Sequence, residues 1–200
     1  MSYKKNKNDL DKCYWETKYA KNSIGWDIGY LSTPLESYFK QLTNKSLKIL
    51  IPGAGNSYEA EYLHKLKFSN VHVMDIALQP ILNLKSRVPT FPDDNLIQTD
   101  FFSHNDTYDL IVEQTFFCSF HPRKRVEYVK KMADLLGDKG KLIGVFFDFK
   151  LIEEGPPFGG SLNEYLQLFS TLFNIKTLER CHNSIKPRLG NELFFIFEKK

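Results

Sequence analysis

Cysteine is scarce. The 200-residue chain has three, Cys13, Cys118 and Cys181, with no CxxC and no zinc-ligand spacing. That pattern points to reduced thiols rather than a disulfide framework or a structural zinc, and no metal site is expected. Long apolar runs are missing too. Stretches such as 142–147 and 193–197 fall far short of the roughly 18 to 20 residues a membrane span needs. The segment Met1–Asp11 has no apolar stretch and reads as a mobile N-terminus of a cytoplasmic protein, not a secretory signal. Nor is there a surplus of one charge. Against 27 basic residues stand 24 acidic ones, a net charge of +3, too balanced for the basic stripe of a nucleic-acid binder. The clusters 4–7 and 123–125 read as solvated surface. Repeats, low-complexity tracts and linkers are absent, so one domain over 1–200 is expected, with 1–45 as a helical N-terminal lid and 46–200 as the core. No nucleic-acid, membrane or obligate protein partner is expected.

Aromatic residues are what the chain has in plenty: 17 Phe, 10 Tyr and 2 Trp, or 14 % of it. Some are expected to wall a pocket. The rest of the pattern is alternation. Residues 47–51 form an apolar run ending in Pro52-Gly53, as in a strand buried on both faces, and 56–67 follow with helical spacing and Asn56 or Ser57 as cap. Strands over 71–76, 96–99, 108–114 and 141–147 alternate with helices over 79–87 and from His121-Pro122 through Leu136, whose end Gly137 and Gly140 mark. After a Gly/Pro loop at 155–160 come a helix over 162–172 and two strands, 175–180 and 192–198, with no helix between them. This pattern predicts a doubly wound, Rossmann-like α/β three-layer sandwich of about seven mostly parallel strands. The last pair implies one antiparallel strand, placed at an edge by connectivity alone.

In such sheets ligands collect at the carboxyl ends of the strands. There the chain carries Gly53-Ala54-Gly55, a tight turn that lets backbone approach a ligand and aims helix N–H groups at an anion. Taken alone it could be only a tight turn. Asp75 ends the second strand about 20 residues on, where a carboxylate reaches ribose hydroxyls. Asp100, after the third strand and before Phe101-Phe102, is suited to an adenine amino group, or simply to capping a turn. A dinucleotide fold favours a third small glycine, but Ser57 and Tyr58 stand there, which makes a nicotinamide cofactor the lesser reading. Strand four ends in Glu113-Gln114-Thr115-Phe116-Phe117, where the reactive end of an adenosine cofactor would point. Trp15 and Trp26 precede the sheet, placed either to pack on it or to close over a sulfonium. No histidine is assigned a role, and no catalytic residue is named.

Together these segments resemble class I S-adenosylmethionine-dependent methyltransferases of the thiopurine methyltransferase superfamily, and within it the thiol and halide methyltransferase branch. The resemblance runs from about Trp15 to Lys199, through Gly25-Trp26-Asp27, Pro52-Gly53-Ala54-Gly55, Met74-Asp75-Ile76, Asp100-Phe101-Phe102, Phe117-Cys118 and Gly155-Pro156-Pro157-Phe158. It implies S-adenosyl-L-methionine as cofactor, S-adenosyl-L-homocysteine as product, and a seventh strand inserted antiparallel between neighbours of the sheet. Trp15 and Trp26 would close over the cofactor, Gly53 meet its methionine end, Asp75 hold the ribose, and Asp100 with Phe101 the adenine; Gln114 occupies the matching position after strand four, and Gly55 and Ile76 also belong to the cofactor site. The chain departs from the pattern at Ala54, Ser57 and Glu113-Gln114, the last bearing on the acceptor. The acceptor is expected to be a small soft nucleophile, a thiol, thiopurine, thiocyanate, bisulfide or halide, methylated by in-line displacement. Phe116, Phe117, Phe149 or Phe158 are expected to shape its apolar pocket, and Glu113 either to orient a polar acceptor or simply to help support the cofactor. The competing readings are a nicotinamide-dependent reductase and a cofactor-binding protein that has lost transfer.

Overall fold

The computed structural model describes residues 10–200. The expected mobile N-terminus, the lysine cluster at 4–7 and the start of the lid therefore lie, apart from Leu10 and Asp11, outside the described residues. Two helices come first, α1 (Lys12–Ala20) and α2 (Thr33–Phe39). Asp11 caps α1, its carboxylate accepting the Tyr14 N–H at 3.0 Å. The strands are β1 (Ile49–Pro52), β2 (Val71–Asp75), β3 (Leu96–Gln98), β4 (Tyr108–Gln114), β5 (Leu136–Phe147), β6 (Phe173–Arg180) and β7 (Glu192–Lys199). Between them run α3 (Tyr58–Lys65), α4 (Leu78–Arg87), α5 (Arg125–Asp134) and α6 (Leu162–Phe169).

The strands form a single sheet in the order β3-β2-β1-β4-β5-β7-β6. β1 to β5 pair in parallel, and β7 runs antiparallel to both β5 and β6, so six strands point one way and β7 the other. The antiparallel strand is thus interior, and the edge belongs to β6. The reason is pairing: seven β7 residues register against Lys141–Phe147, and its other side takes β6. The order reverses at β1/β4, the switch point where the carboxyl ends of neighbouring strands splay to leave a crevice.

Successive β1 residues face opposite layers. Ile49 and Ile51 pack with Leu35, Phe39, Ala60, Leu63 and Leu84 from α2, α3 and α4, whereas Leu50 packs with the α5 and α6 side. The aromatic surplus goes mainly to the second layer. There Phe146 stacks on Phe195 at 4.0 Å between ring centroids, and Phe117, Tyr128, Tyr165, Phe169 and Phe197 are fully buried around them. The first layer is mostly aliphatic.

Helix ends differ from expectation for local reasons. Ser57 sits at the α3 N-cap with φ of 56° and makes no side-chain cap bond; its Oγ donates instead to the Ala54 and Gly55 carbonyls, both at 3.3 Å. The helix expected from His121 to Leu136 begins as a 3-10 turn at Pro122–Lys124 and continues as α5 only to Asp134. Gly137 and Gly140 then lie inside β5, where the pairing with β4 shifts register. Among the described residues no helix is long and apolar enough to cross a membrane, and no cluster of three or more His, Cys, Asp or Glu could hold a metal ion.

Candidate active site

At the carboxyl ends of β1, β2 and β4 lies a cavity of about 640 Å³. Asp75, Ile76, Asp100 and Phe101 line it, with Gly53 from the glycine turn and Trp15 and Trp26 from the N-terminal segment. The two aspartates therefore face one space, although 25 residues separate them in sequence.

Asp75 is 8 % exposed. One carboxylate oxygen accepts the Ala77 N–H at 2.9 Å and the other the Gly55 N–H at 3.3 Å, so this side chain ties the end of β2 to the turn after β1. Burial pushes its carboxyl up to about 6 despite these donors. Further hydroxyl donors from a ligand would relieve that desolvation. Asp100 is more open; its Oδ1 accepts the Phe102 N–H at 2.8 Å, capping the short turn that presents Phe101.

Gly53 has φ of +56°, and a Cβ there would lie 1.9 Å from Cδ2 of Phe116. Glycine is required on both counts: the backbone is left-handed, and an aromatic ring rests on its Cα. Phe116 is aimed there by Thr115, whose φ of 57° turns the chain sharply after β4.

The N-terminal segment meets the cavity with aromatic rings. Trp15 and Trp26 meet edge-to-face at 5.4 Å, and Tyr19 meets Trp26 at 5.7 Å. Tyr19 accepts from the Trp26 indole N–H, and burial with the nearby Asp75 charge raises its hydroxyl well above the usual tyrosine range. It would pass within ordinary contact, 3.7 Å, of a Cβ on Gly55. Tyr19 was not among the expected site residues, yet it lies one helical turn after Trp15, and that i, i+4 spacing was available in the sequence.

The remaining wall is apolar. It consists of Phe116, Phe120, Phe147, Pro156, Pro157 and Pro187, with Cys118, Ser119 and Arg188 among them. Arg188 also had no signal in the sequence. It comes from the β6–β7 connection, and its guanidinium donates to the Trp26 carbonyl at 2.8 Å, a contact 162 residues apart.

Several expected residues are placed elsewhere. Glu113 is 1 % exposed and does not line the large cavity. Its carboxylate accepts from the Tyr128 hydroxyl and from the Phe116 and Phe117 amides at 2.8 and 3.0 Å, so it holds the turn after β4 from beneath. Burial pushes it up to about 7. Phe117 points into the core against Phe146 and Tyr165. Phe149 packs on Phe147, behind the wall, and Phe158 is buried beside His121 with its N–H donated to the Cys118 carbonyl. Gly55 and Gln114 line a small side cavity next to the large one.

The family model of thiopurine S-methyltransferase matches residues 10–199. The chain belongs to the thiopurine S-methyltransferase family. It is an S-adenosyl-L-methionine-dependent methyltransferase, and this decides between the two cofactors weighed above. Among the relatives of this family member, a probable thiol methyltransferase 2 of Arabidopsis thaliana is 26 % identical over 186 residues, covering 89 % of this chain and 81 % of the relative. A thiocyanate methyltransferase 1 of Brassica oleracea is 24 % identical over 184 residues, with the same coverage. Among solved structures, the magnesium protoporphyrin IX methyltransferase of Synechocystis PCC 6803 with bound S-adenosylmethionine superposes with a TM-score of 0.75 at 11 % identity, covering both chains fully, so the sheet and its helices are those of that fold.

The site fits the cofactor on its own terms. A buried carboxylate faces the cavity at the end of β2, a cradle at Gly53 admits no Cβ, and the buried Gln114 Nε2 has no hydrogen-bond partner. Each of these is a feature that an adenosine with an amino-acid tail would use.

Proposed function

We propose that this methyltransferase acts on a small soft nucleophile, a thiol, thiocyanate or bisulfide ion, taken up against the wall of Phe116, Phe147, Pro156 and Pro157. The observation that carries this reading is the ionisable content of the cavity. Among its described lining residues there is no histidine or glutamate, and both carboxylates, Asp75 and Asp100, stand on the adenosine side. Cys118 beside the wall is held by its thiol donating to the Thr115 carbonyl at 3.3 Å, and burial pushes that thiol far up, so it does not serve as a base. An acceptor that needs a proton removed in the transfer step finds no group suited to take it. A thiolate or thiocyanate arrives with its lone pair ready.

The bound cofactor supplies an electrophilic methyl group on a sulfonium. The protein's task is then alignment and exclusion of water. Asp75, Asp100 and the glycine turn fix the adenosine, Trp15, Trp26 and Tyr19 cover it, and the Phe/Pro wall presents the acceptor from the open side. Arg188 and Lys18 also line the cavity, where their charges offset those of Asp75 and Asp100. The names of the thiol and thiocyanate methyltransferase relatives support this acceptor class.

Purified protein incubated with S-adenosyl-L-methionine and, separately, bisulfide, thiocyanate, iodide and an aromatic thiol provides the test. The expected result is release of S-adenosyl-L-homocysteine and a methylated product with at least one of them. Cofactor binding without turnover on any soft nucleophile would overturn the acceptor assignment and favour a binding-only protein. The same reading places the cofactor-binding role on Trp15, Trp26, Gly53, Gly55, Asp75, Ile76, Asp100, Phe101 and Gln114, within one catalytic domain whose lid is the N-terminal segment.

A further inference from the structure

The connection between β6 and β7 walls the large cavity with Pro187 and Arg188. It also brings together a charged pair, Arg188 and Glu192, that has no part in the transfer step itself. A 3-10 turn over Lys186–Arg188 is followed by a tight turn, in which the Asn191 N–H donates to the Arg188 carbonyl at 2.9 Å and Gly190 is left-handed at φ of +83°. Glu192 is thereby folded back beside Arg188. The Asn191 carbonyl accepts the Asp148 N–H at 2.7 Å, which pins this turn to the end of β5.

Glu192 opens β7 opposite Phe147 and is 3 % exposed. Strand pairing does not ask for a carboxylate there, since the backbone makes the ladder and an apolar side chain would be buried without the cost of desolvation. Burial pushes its carboxyl up, and Ser184 and Arg188 pull it back. Arg188 Nη1 lies 3.5 Å from Glu192 Oε1, an ion pair more than a hydrogen bond. The same guanidinium donates to the Trp26 carbonyl at 2.8 Å and lies 5.7 Å from the centroid of the Phe147 ring. It stands where three parts meet: the N-terminal segment, the end of β5 and the start of β7. Asn183, in the same connection, holds the N-terminal segment a second time, its Nδ2 donating to Ser37 Oγ of α2 at 3.1 Å and its carbonyl accepting from the Thr33 hydroxyl.

We propose that Glu192 is a positioning residue for methyl-donor binding: it holds the Arg188 guanidinium between the Trp26 carbonyl and the Phe147 ring, and so sets Trp26 over the cavity. This role rests on the cofactor site proposed above. Glu192 does not line the large cavity, whereas Trp26 and Arg188 do, so any effect of Glu192 on the donor passes through them. A long arginine side chain loses much rotamer freedom when it is fixed in one place. With Glu192 beside it, the rotamer that reaches Trp26 is selected before the donor arrives, and the ordering cost is removed from binding. Stability alone does not account for the pair, since apolar residues of like size often match or exceed a buried ion pair.

Calorimetric titration with S-adenosyl-L-homocysteine tests this on four proteins: wild type, Glu192→Gln, Arg188→Met and the double variant. Glu192→Gln should weaken the ligand at least about threefold, the scale of couplings carried by residues outside a site. With Arg188→Met already in place, adding Glu192→Gln should change the affinity by less than about twofold, because the carboxyl has nothing left to hold. A Glu192 that serves only the fold would lower the melting temperature and leave the affinity of the folded protein intact, which overturns the proposal. Losses that add in the double variant overturn it too. Hydrogen exchange on the wild-type protein needs no variant to fold. Adding S-adenosyl-L-homocysteine should slow exchange in 24–30 and in 183–192 together, as one guanidinium joins them; slowing confined to 24–30 overturns the role of Glu192 while leaving the cofactor site intact. A wild-type protein that does not bind the ligand at all overturns both.

Discussion

The two ends of the large cavity are built on different principles. The end assigned to the donor is made by strand termini: Asp75, Gly53 and Asp100 each sit within a residue or two of the end of a β-strand, and the Gly55 and Ala77 amides donate to Asp75, tying the end of β2 to the glycine turn. The end assigned to the acceptor is made mainly by what packs over the sheet, Phe116 on its turn and prolines from two separate loops, with Phe147 at the end of β5 beside them. A hydrogen-bonded frame recognises one ligand in one pose, whereas a wall of rings and prolines recognises size and softness. On the function proposed above, the donor is therefore held by geometry and the acceptor by shape.

The most damaging way to break this division is at its hinge. Glu113→Ala strips three donors of their acceptor, Tyr128 Oη and the Phe116 and Phe117 amides. Unfolding in urea should show a loss of at least about 3 kcal/mol, roughly 1 per stranded donor. Glu113→Gln keeps an acceptor and should cost less. A loss under about 1 kcal/mol for the alanine variant would mean the turn holds itself.

The donor end alone is broken by Asp75→Ala, which should weaken S-adenosyl-L-homocysteine by about 1 to 3 kcal/mol while leaving the KM for a thiol nearly unchanged. Equal effects on both ligands would erase the distinction between the ends.

Acid should act at the same place. Asp75 is raised from 3.8 to about 6 in the free protein. Ribose hydroxyls favour the ionised form, so the cofactor lowers this value, and affinity should fall as pH drops through about 6. Asp75→Asn should remove the lower part of the profile; an unaltered profile would assign it elsewhere. For stability the sign is reversed. A carboxyl whose folded value lies above its unfolded one favours folding fully at low pH, and that contribution is lost as pH rises through about 6.

The smallest effects sharpen the acceptor end. Phe147→Ala should raise the KM for an aromatic thiol by roughly tenfold with cofactor affinity unchanged, as expected for opening a hydrophobic pocket. Phe149→Ala, one row behind, should change that KM by less than about twofold, as for residues without shared ligand contacts. Matching effects would show that the wall yields as a unit.

The same contrast governs what the sequence reveals. Strand β4 is read at its observed bounds, and Asp75 and Asp100 follow because a residue that ends a strand is tied to the sheet edge by local pattern alone. Phe116 and Phe117 are not separable in that way. The left-handed Thr115 resets the alternation, so one of two adjacent rings turns to the cavity and the other to the core. Glu113 reads as a pocket residue only until Tyr128, 15 residues on, is known to reach it. Arg188 depends on a contact across nearly the whole chain, which no local spacing encodes. The interior place of β7 agrees with the resemblance, whereas connectivity alone puts the antiparallel strand at an edge.

That arrangement of β5, β7 and β6 sets an order of assembly. As the chain is made, β6 emerges ahead of β7, yet its neighbour in the sheet is β7, on one side only. Until β7 docks on β5, the apolar residues Ile175 and Leu178 of β6 lack the layer they pack against, and the stacked rings of Phe146 and Phe195 are apart. Parallel strands β1 to β5 can associate as they are synthesised. The last third of the sheet closes in one late, non-local step, and a nascent chain halted before β7 would expose an aromatic surface open to aggregation.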